Sequence, residues 1–497
     1  MIYVLGHPTT QPHPSLQNAL REGRLIFCGA ADQLPPSGVD LVFAQDLSLI
    51  SADFLNSLRL SLAPDAVLYA QHLRRRDPEF ILRLRLLGFL ERRDYWSPPL
   101  RPDGELLFPA HPRHLQYVLT HVLTAASPIN KMLGSCARGL LHTGLLTSLP
   151  ASRSVFFYRT PVTFIPALQE AIRSAGLDPA STSIGISSRG TYDSNKTVAF
   201  LFAGADAQPT VVVKFSRDAR FNSRIAHEHR ILEVLQLASC VPSETLPVPR
   251  GYGIHDGLAV ETMDAVQGDR FENVSSLQGD CPHVQALVGW LITLGRNSRT
   301  TRNGSDIAAV LRQLLATFVR ICRPEADEVD FLSAQIAHIA EAPSVPLVFQ
   351  HGDLGVWNIM VSDGHPVIMD WENGEPEGMP LWDLFYFLRA CANRAARRKG
   401  KRDPVRNFRT AFGQPSVFRS SLKRHISLYA SAVGIDPSLW EPLWFTCWMH
   451  RALKEASMLA PSEQRSGIYL PLLRDCMTYQ DDYRAAISAV NVESSRC

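Results

Sequence analysis

The chain has 497 residues, 45% of them hydrophobic and 20% charged, which is the composition of an ordinary globular protein. Its 50 basic and 48 acidic side chains leave a formal net charge of +2, and this balance excludes a whole-chain electrostatic argument for a nucleic-acid partner or an anionic membrane surface. No apolar stretch reaches the ~18 residues of a membrane-spanning helix, the cysteines include no CxxC pair, and the N-terminal residues lack a signal-peptide pattern. We therefore expect a cytoplasmic protein that has no membrane span and keeps its thiols reduced.

Residues 1–125 show alternating strand and helix patterns, which predict an α/β domain with a parallel sheet. The order of these elements resembles part of a class I methyltransferase, and this resemblance implies a partial Rossmann-like fold. No glycine-rich turn follows an early strand, so we expect this domain to be non-catalytic. The strand candidates are residues 38–43, 66–70, 93–96 and 105–108, and the helix candidates are residues 51–62 and 78–90.

The rest of the chain divides into three further segments. Residues 126–180 are interpreted as a connector that packs on the following domain. The pattern then changes to strands, and residues 181–265 predict a strand-rich lobe. Residues 266–497 are mainly helical, with strands predicted between 347 and 370. We therefore expect an α/β domain followed by a two-lobed α+β domain. The helix candidates in the first two of these segments are residues 140–149, 165–175 and 225–237.

One segment of the helical lobe joins a polar loop to a short hairpin pattern. Residues 348–361 read Val-Phe-Gln-His-Gly-Asp-Leu-Gly-Val-Trp-Asn-Ile-Met-Val, so that Asp353 and Asn358 follow an apolar strand with the spacing HGDxxxxN. An Asp-Gly pair, which is typical of a tight turn, comes next, and the return strand ends at Asp370. The hairpin is therefore expected to bring the side chains of Asp353, Asn358 and Asp370 close together.

These three side chains suit phosphoryl transfer, in which the protein positions a charged group and holds Mg²⁺. Mg²⁺ prefers oxygen ligands and needs few of them from the protein, and Asn358 and Asp370 would provide them. Asp353 would accept the proton of the attacking hydroxyl group. The alternative is that these residues only form turns, but the complete spacing favours the catalytic interpretation.

A kinase must also hold its nucleotide, and the strand-rich lobe contains candidate residues for this task. Lys214 ends an apolar strand pattern and Glu228 lies on the next helix, an arrangement that protein kinases use to orient phosphates. Ser188 and Gly190 belong to a polar loop between two strands, where backbone N–H groups would cover phosphates. Each feature has an ordinary alternative: a strand lysine whose charge reaches solvent, a solvated helix residue and a simple hairpin loop.

The end of a later strand provides candidate contacts for the nucleotide base. Glu261 and Met263 would lie at a hinge between the two lobes, where backbone groups meet adenine. The alternative for this stretch is an ordinary buried strand.

Several of these segments together resemble one protein family. The segments that carry the resemblance are His351-Gly-Asp353, Asn358, Met369-Asp-Trp-Glu372, Pro380-Leu-Trp-Asp383, Lys214 and Glu228. Residues 181–480 resemble the aminoglycoside phosphotransferase/choline kinase family, which has a protein-kinase-like fold. The resemblance implies an ATP- and Mg²⁺-dependent kinase that phosphorylates a hydroxyl group of a small molecule, such as an aminoglycoside, an amino alcohol or a sugar. It also implies that Asp353 is the catalytic base, that Asn358 and Asp370 hold Mg²⁺, and that Asp383 braces the catalytic loop.

Two features of the sequence bear on the alternatives to a small-molecule kinase. The segment between Asp370 and Asp383 is too short for the activation loop of a protein kinase, which argues against a protein substrate. The other alternative is a catalytically silent, kinase-like binding module. The presence of Lys214 together with Asp353, Asn358 and Asp370 argues against it.

Two charged segments leave the chemical nature of the acceptor open. Glu372, Glu375 and Glu377 would suit a cationic acceptor, or they form a solvated acidic turn. The basic residues between 394 and 409 would suit an anionic acceptor or a membrane-linked glycan, or they form a solvated surface.

Overall fold

A computed structural model gives the fold of this chain. Predictions for residues 51–62, 78–90 and 140–149 fall mainly outside the described residues, as does Gly190. The structure describes residues 2–5, 25–27, 39–44, 62–71, 91–96, 106–122, 153–158, 165–188, 196–459 and 467–488, and the single positions 85, 89, 139, 141 and 464.

The chain divides into two compact units, and each unit is assembled from separate stretches of sequence. The first unit contains residues 1–124, 132–222 and 250–265, and the second contains residues 125–131, 223–249 and 266–497. The predicted lobe boundary at residue 265 coincides with one of these limits, whereas the helix predicted at 225–237 belongs to the second unit. The domain limits at 125, 180 and 265 stay predictions.

The first unit is built around a large mixed sheet. The described residues beside it include two short helices, α1 (Pro112–Tyr117), which continues into a π-helical turn, and α2 (Pro166–Ser174). Along the sheet, the order of its strands is β11-β12-β10-β9-β8-β6-β5-β7-β4-β3-β1-β2. The strands are β1 (Ile2–Leu5), β2 (Leu25–Phe27), β3 (Val39–Ala44), β4 (Leu62–Gln71), β5 (Glu91–Trp96), β6 (Leu106–Pro109), β7 (Arg153–Tyr158), β8 (Ser183–Ser187), β9 (Lys196–Phe202), β10 (Val211–Ser216), β11 (Pro249–His255) and β12 (Leu258–Asp264).

The pairing of the N-terminal strands is only partly the predicted parallel pattern. β1 pairs in parallel with β2 and β3, and β3 pairs in parallel with β4. In contrast, β5 pairs antiparallel with both β6 and β7, and β7 pairs antiparallel with β4. A short connection between β5 and β6 allows only an antiparallel pair, because a parallel pair needs a long crossover. The Rossmann-like assignment of residues 1–125 stays a prediction.

One pair of strands connects the N-terminal region with the strand-rich lobe. β6 pairs with β8 through Leu106↔Ser187 and Leu107↔Ile186, so that the strands of both regions belong to one sheet. β7 lies in the segment that we interpreted as a connector, yet it is part of the same sheet. The two regions that the sequence separates therefore share a backbone hydrogen-bond network in the structure.

The strand-rich lobe buries one face of its sheet under α2. This helix begins at Pro166, whose fixed φ suits the first helical position, and its apolar residues Ala171 and Ile172 pack on Val211 and Val213 of β10. The helix ends at Ser174, and Gly176 follows its C-cap with a φ of +67°, which glycine adopts at no steric cost. The other face of β10 and β12 is not covered by α2.

The second unit is mainly helical, as the sequence predicted for residues 266–497. Its residues include α3 (Asn222–Ala238), α4 (Phe271–Val274), α5 (Pro282–Ser298), α6 (Gly304–Cys322), α7 (Ala326–Ala340), α8 (Trp382–Arg398), α9 (Pro404–Phe408), α10 (Val417–Val433), α11 (Trp440–Met458), α12 (Tyr469–Thr478) and α13 (Gln480–Ile487). Its strands are β13 (Asp269–Arg270), β14 (Thr300–Arg302), β15 (Val345–Gln350), β16 (Ile359–Ser362), β17 (His365–Ile368) and β18 (Glu375–Gly378).

The core of the helical unit is unusually rich in aromatic residues. Trp444 and Trp448 of α11 are fully buried and pack edge to face, with ring centroids 5.3 Å apart. Phe408 of α9 contacts both rings. This packing fixes α11 relative to α8 and α9, which matters because α11 also contributes side chains to the candidate site. Within the described residues, the search for a helix that is long and apolar enough to cross a bilayer finds none.

Candidate functional site

The predicted hairpin forms, and its register brings the expected residues together. β16 and β17 pair antiparallel, from Ile359↔Ile368 to Ser362↔His365. The two turn residues, Asp363 and Gly364, both have positive φ angles, +49° and +82°, as a tight two-residue turn of this hand requires. An Asp-Gly pair between two apolar runs therefore forms the predicted turn.

The two predicted metal ligands, Asn358 and Asp370, lie at the open end of this hairpin. The backbone N–H of Met369 donates a 2.8 Å hydrogen bond to the carbonyl oxygen of Asn358, so Asp370 follows directly after the residue bonded to Asn358. Asp370 has a φ of +68°, a left-handed conformation that is uncommon for a residue other than glycine. Such backbone strain is characteristic of functional sites, where surrounding contacts hold the residue in place.

The loop that leads from β15 to the hairpin is held by Asp383 at the start of α8. Its buried carboxylate accepts hydrogen bonds from the backbone N–H groups of His351 (2.6 Å) and Gly352 (3.0 Å). Gly352 has a φ of +72°, and a Cβ at this position would lie 2.4 Å from the carbonyl oxygen of Asn373. Only glycine fits, and Asp383 fixes the turn that presents Asp353. Burial raises the pKa of Asp383, and the hydrogen bonds from these two N–H groups oppose that rise.

We expect Asp383→Asn to lower the free energy of unfolding by about 1–3 kcal/mol. Each carboxylate oxygen of Asp383 accepts one buried N–H group, and in asparagine an NH₂ donor replaces one of these oxygens, so one N–H loses its acceptor. The same change should lower kcat, since the loop that carries Asp353 loses its anchor. Urea denaturation and initial rates measure the two effects. Asp403→Asn is a matched control, because Asp403 also accepts from two backbone N–H groups, but at an exposed helix start where Asn serves equally well. An equal loss of stability in both variants would contradict the bracing role.

Asp353 lies within a network of hydrogen bonds that reaches both of its carboxylate oxygens and its backbone carbonyl. Oδ1 accepts a 2.9 Å hydrogen bond from Nη2 of Arg451, which forms an ion pair with it. The side-chain amide of Asn358 donates to the backbone carbonyl of Asp353 at 3.0 Å and approaches Oδ2 at 3.4 Å. Asn358 thus uses its nitrogen to hold Asp353, and its oxygen stays available as a ligand.

His351 is a scaffold residue in the structure. It is completely buried, its Nε2 lies 2.9 Å from the carbonyl oxygen of Met369, and its Nδ1 accepts from the backbone N–H of Asp353 at 3.1 Å. The ring also packs on Trp371, with centroids 4.6 Å apart. His351 therefore ties the catalytic loop to the segment that carries Asp370.

Glu228 occupies a core position of α3, within the apolar stripe of Ile225, Ile231 and Leu235. It is 0% exposed, and its Oε1 accepts a 3.2 Å hydrogen bond from the backbone N–H of Trp371. The carboxylate thus contacts the residue that follows Asp370. Lys214, its predicted partner, belongs to the other compact unit, and the Lys214–Glu228 ion pair stays a prediction.

Three of the predicted nucleotide-binding residues share one face of the sheet in the strand-rich lobe. In the register of β10 and β12, Lys214 is opposite Glu261 and Val212 is opposite Met263. Because side chains alternate along a strand, Lys214, Glu261 and Met263 lie on the face opposite the one that α2 covers. Glu261 is 0% exposed and lies in the middle of β12, so a hinge between the lobes would begin only after this residue.

Ser188 lies directly after β8, and its hydroxyl is 2.8 Å from that of Thr197 on β9. The predicted phosphate-covering loop therefore joins the end of β8 to the start of β9, and these two strands are antiparallel neighbours. Gly190 lies outside the described residues. The role of Ser188 and of this loop stays a prediction.

Residues 194–414 match a family model described as "Phosphotransferase enzyme family". This part of the chain resembles that family. The matched region contains Lys214, Glu228, Asp353, Asn358 and Asp370, and it covers less than half of the chain. A search of curated proteins finds no match.

Solved kinase structures show only a distant similarity to the chain. A glucosamine kinase is 15% identical over 65% of this chain and 86% of its own, with a TM-score of 0.36. An aminoglycoside 2'-phosphotransferase-IIIa in a GDP complex is 13% identical over 64% and 97%, with a TM-score of 0.38. An aminoglycoside phosphotransferase from Alicyclobacillus acidocaldarius is 14% identical over 66% and 96%, with a TM-score of 0.36. Values this low support no argument about activity.

The predicted ligand set is suited to a hard divalent cation. Asn358 offers an amide oxygen and Asp370 a carboxylate, and the described residues contain no cluster of three His, Cys, Asp or Glu side chains that would favour a zinc-type site. Mg²⁺ keeps water and phosphate oxygens in its shell, so two protein ligands are sufficient. The chemistry of the donors therefore fits Mg²⁺ bound together with a phosphorylated compound.

A cavity of about 350 Å³, here named the Asp353 cavity, opens beside Asp353. The sequence analysis missed its main cationic residues, Arg389 of α8 and Arg451 and Lys454 of α11. Arg451 and Lys454 both donate to the carbonyl oxygen of Gly352, at 2.7 and 3.0 Å. They lie beyond the region that matches the phosphotransferase family. One feature of the sequence could have indicated Arg389: it is the single charged residue within the otherwise mainly apolar run of residues 384–392.

We expect Lys454 to make the stability of the fold depend on alkaline pH. Burial, with a smaller effect of Arg451, lowers its pKa from 10.5 to about 8, while Asp353, Glu372 and Asp383 oppose this. Above pH 8 the folded form loses a proton that the unfolded form keeps up to about 10.5, so stability rises with pH in this window. Between pH 7 and 10, the free energy of unfolding of the wild type, measured by urea denaturation, should rise by about 2 kcal/mol more than that of Lys454→Met. Parallel curves for the two proteins would contradict the expectation.

The other charged segments mostly have structural partners. Glu377 of β18 forms an ion pair with Arg302 of β14, which favours a structural role over recognition of a cationic acceptor. Within the basic segment, Arg394 pairs with Glu272 and Arg409 pairs with Asp475. Arg397 differs from them, because it lines the Asp353 cavity.

Proposed function

We propose that this chain transfers the γ-phosphoryl group of ATP to a hydroxyl group of a small molecule, in a reaction that depends on Mg²⁺. The observation that carries the proposal is the convergence of Asp353, Asn358 and Asp370 at one end of a β-hairpin. Phosphoryl transfer needs little covalent chemistry from the protein and depends on positioning and on stabilisation of charge. This small set of oxygen donors beside a cavity is suited to those tasks.

In the proposed reaction, the acceptor hydroxyl approaches Oδ2 of Asp353, which accepts its proton. The hydroxyl oxygen forms a bond to the γ-phosphorus, and the bond from that phosphorus to the oxygen of ADP breaks. The products are the phosphorylated acceptor, ADP and one proton. Arg451 holds Oδ1 of Asp353 at 2.9 Å, which keeps the carboxylate in one orientation while Oδ2 acts.

We assign Asn358 and Asp370 to Mg²⁺, which when bound would neutralise charge on the phosphates. Asn358 presents its oxygen because its nitrogen is bonded to Asp353. Glu228 supports the turn of Asp370 through the N–H of Trp371.

We assign nucleotide binding to the strand-rich lobe. Lys214 would contact phosphates, Ser188 and Gly190 would cover them, and Glu261 and Met263 would lie near the base. The shared sheet face of Lys214, Glu261 and Met263 supports this assignment. The similarity of residues 194–414 to a phosphotransferase family supports phosphoryl transfer as the reaction.

We further propose that residues 1–125 form a partial, methyltransferase-like domain that does not transfer methyl groups.

We also propose a cytoplasmic location. The cytoplasm supplies the ATP and Mg²⁺ that the reaction needs and keeps the buried cysteines reduced.

The proposed function is tested by incubating the purified chain with γ-labelled ATP, Mg²⁺ and a panel of sugars, aminoglycosides, amino alcohols and hydroxy acids. ADP formation and label transfer are measured together, so that hydrolysis is distinguished from transfer to an acceptor. Label in an acceptor, with EDTA abolishing it, would support the proposal. ATP binding without ADP formation for any acceptor class would favour a silent binding module.

A further inference from the structure

Arg389 is the feature of the Asp353 cavity that the fold leaves unexplained. The residue is only 4% exposed, and its Nη1 donates a 3.1 Å hydrogen bond to the hydroxyl of Tyr469. Its Nε and Nη2 atoms are buried, and no acceptor among the described residues forms a hydrogen bond with them. A buried guanidinium that lacks a counter-ion is costly. Its position in a cavity wall therefore indicates a ligand that brings the negative charge.

The acidic residues of the cavity wall already have partners. Asp353 forms an ion pair with Arg451 at 2.9 Å. Glu455 accepts the backbone N–H of Tyr469 at 2.9 Å and so holds the first turn of α12. The cationic side chains of Arg389, Arg397 and Lys454 face the same cavity. A cationic acceptor would meet these three positive charges, and the negative charge of Asp353 is already paired with Arg451.

The aromatic ring of Tyr469 lies between the guanidinium groups of Arg389 and Arg451. Arg389 lies 4.8 Å from the centroid of this ring and Arg451 lies 5.4 Å from it. Arg451 in turn contacts Asp353. One small molecule in the cavity is therefore able to contact Arg389 with one group and Asp353 with another, and about 350 Å³ is enough space for it.

We propose that the phosphoryl acceptor is an anionic hydroxy compound whose carboxylate or phosphate group binds Arg389. This inference rests on the proposed function and narrows its acceptor class. The anionic group makes charge-assisted hydrogen bonds with Nε and Nη2, which a planar guanidinium presents side by side. The hydroxyl group of the same molecule reaches Oδ2 of Asp353, and the transfer step, with ADP and one proton as the other products, is unchanged. Arg389 binds the acceptor and takes no proton.

The test compares four acceptors that share a ring and differ in charge: glucose, glucosamine, glucuronate and glucose 6-phosphate. We expect one or both of the anionic compounds to have a kcat/KM at least tenfold above those of glucose and glucosamine. A preference for only one of the two anions identifies the carboxylate or the phosphate as the group that binds. A preference for glucosamine or glucose would overturn the proposal.

Variants of Arg389 separate acceptor binding from a structural role. Arg389→Met should raise KM for the anionic acceptor by about 10- to 100-fold, because it removes a charged hydrogen-bonding group, while KM for ATP changes less than twofold. Arg389→Lys should recover part of the loss. The matched control is Arg312→Met on the exposed face of α6, which should change neither value.

The melting temperature of Arg389→Met should equal or exceed that of the wild type, since a buried charge is removed. An equal rise in KM for every acceptor, or a lower melting temperature with no change in KM, would overturn the proposal.

A binding measurement separates failure of this inference from failure of the proposed function. Glucuronate, glucose 6-phosphate and inorganic phosphate are titrated into the wild type and Arg389→Met without nucleotide, and heat is measured. Binding to the wild type alone supports an anion site at Arg389 even if no compound is phosphorylated, and then only the proposed function fails. Phosphoryl transfer without any anion binding or preference leaves the function in place and overturns the anionic acceptor.

Discussion

Replacement of Asp353 by asparagine is expected to lower kcat by about 10²- to 10⁴-fold, the usual contribution of a positioned general base. Oδ2 of Asp353 is the atom that would accept the proton of the acceptor, and an amide in its place has no comparable basicity. Asparagine keeps the size of the side chain, so the hydrogen bonds of Asn358 to the backbone of residue 353 are retained. The affinity for ATP should therefore change little. Single-turnover rates and a separate nucleotide titration measure the two effects.

The ion pair between Asp353 and Arg451 requires a control for stability. Arg451 is buried and stacks on Tyr386, with its guanidinium carbon 3.6 Å from the ring centroid. Removing the charge of Asp353 leaves this cation without its partner and should lower the unfolding free energy by about 1–3 kcal/mol. Rates are therefore compared at a temperature where both proteins are folded. Turnover that stays within threefold of the wild type would remove Asp353 from the mechanism.

The second large effect is expected at Asp370. Asp370→Asn should reduce the Mg²⁺-dependent affinity for ATP by about 100-fold or more, because a neutral amide replaces the charged ligand of a hard cation. Asparagine tolerates the left-handed backbone conformation with its φ of +68°, so the turn itself is retained. The effect is measured by calorimetric titration of ATP in the presence and absence of Mg²⁺.

The same hairpin offers a matched control for this change. Asp363 also has a positive φ, +49°, but lies exposed in the turn at the opposite end of the hairpin. Asp363→Asn should leave the affinity for ATP within twofold of the wild type. If both variants lose affinity equally, the effect comes from the hairpin fold and Asp370 is not a metal ligand.

The hairpin of β16 and β17 was predictable because the sequence pattern that specifies it is local. An apolar strand, the HGDxxxxN spacing and an Asp-Gly turn determine which residues meet, and the observed register from Ile359↔Ile368 follows from them. Asp383 was recognised because its spacing from Asp370 resembles a known pattern. The contact of Glu228 with the N–H of Trp371 was not foreseen, because it depends on how α3 packs in the helical unit.

The residues that the sequence analysis missed come from distant parts of the chain. Arg451 and Lys454 follow Asp353 by about a hundred positions, and only the aromatic packing of α11 brings them to Gly352. Basic residues on an amphipathic helix usually face solvent, so their spacing gave no signal. The pairing of β6 with β8 is similarly long-range, and local patterns therefore placed the two regions in separate domains.

The account depends most directly on the arrangement of oxygen atoms around a bound nucleotide. A crystal structure with Mg²⁺ and a non-hydrolysable ATP analogue tests this arrangement. We expect Oδ1 of Asn358 and the carboxylate of Asp370 at about 2.1 Å from the metal ion, with Asp353 facing the γ-phosphate from the side of the cavity. A nucleotide bound elsewhere, or a metal ion held without either of these residues, would contradict the account.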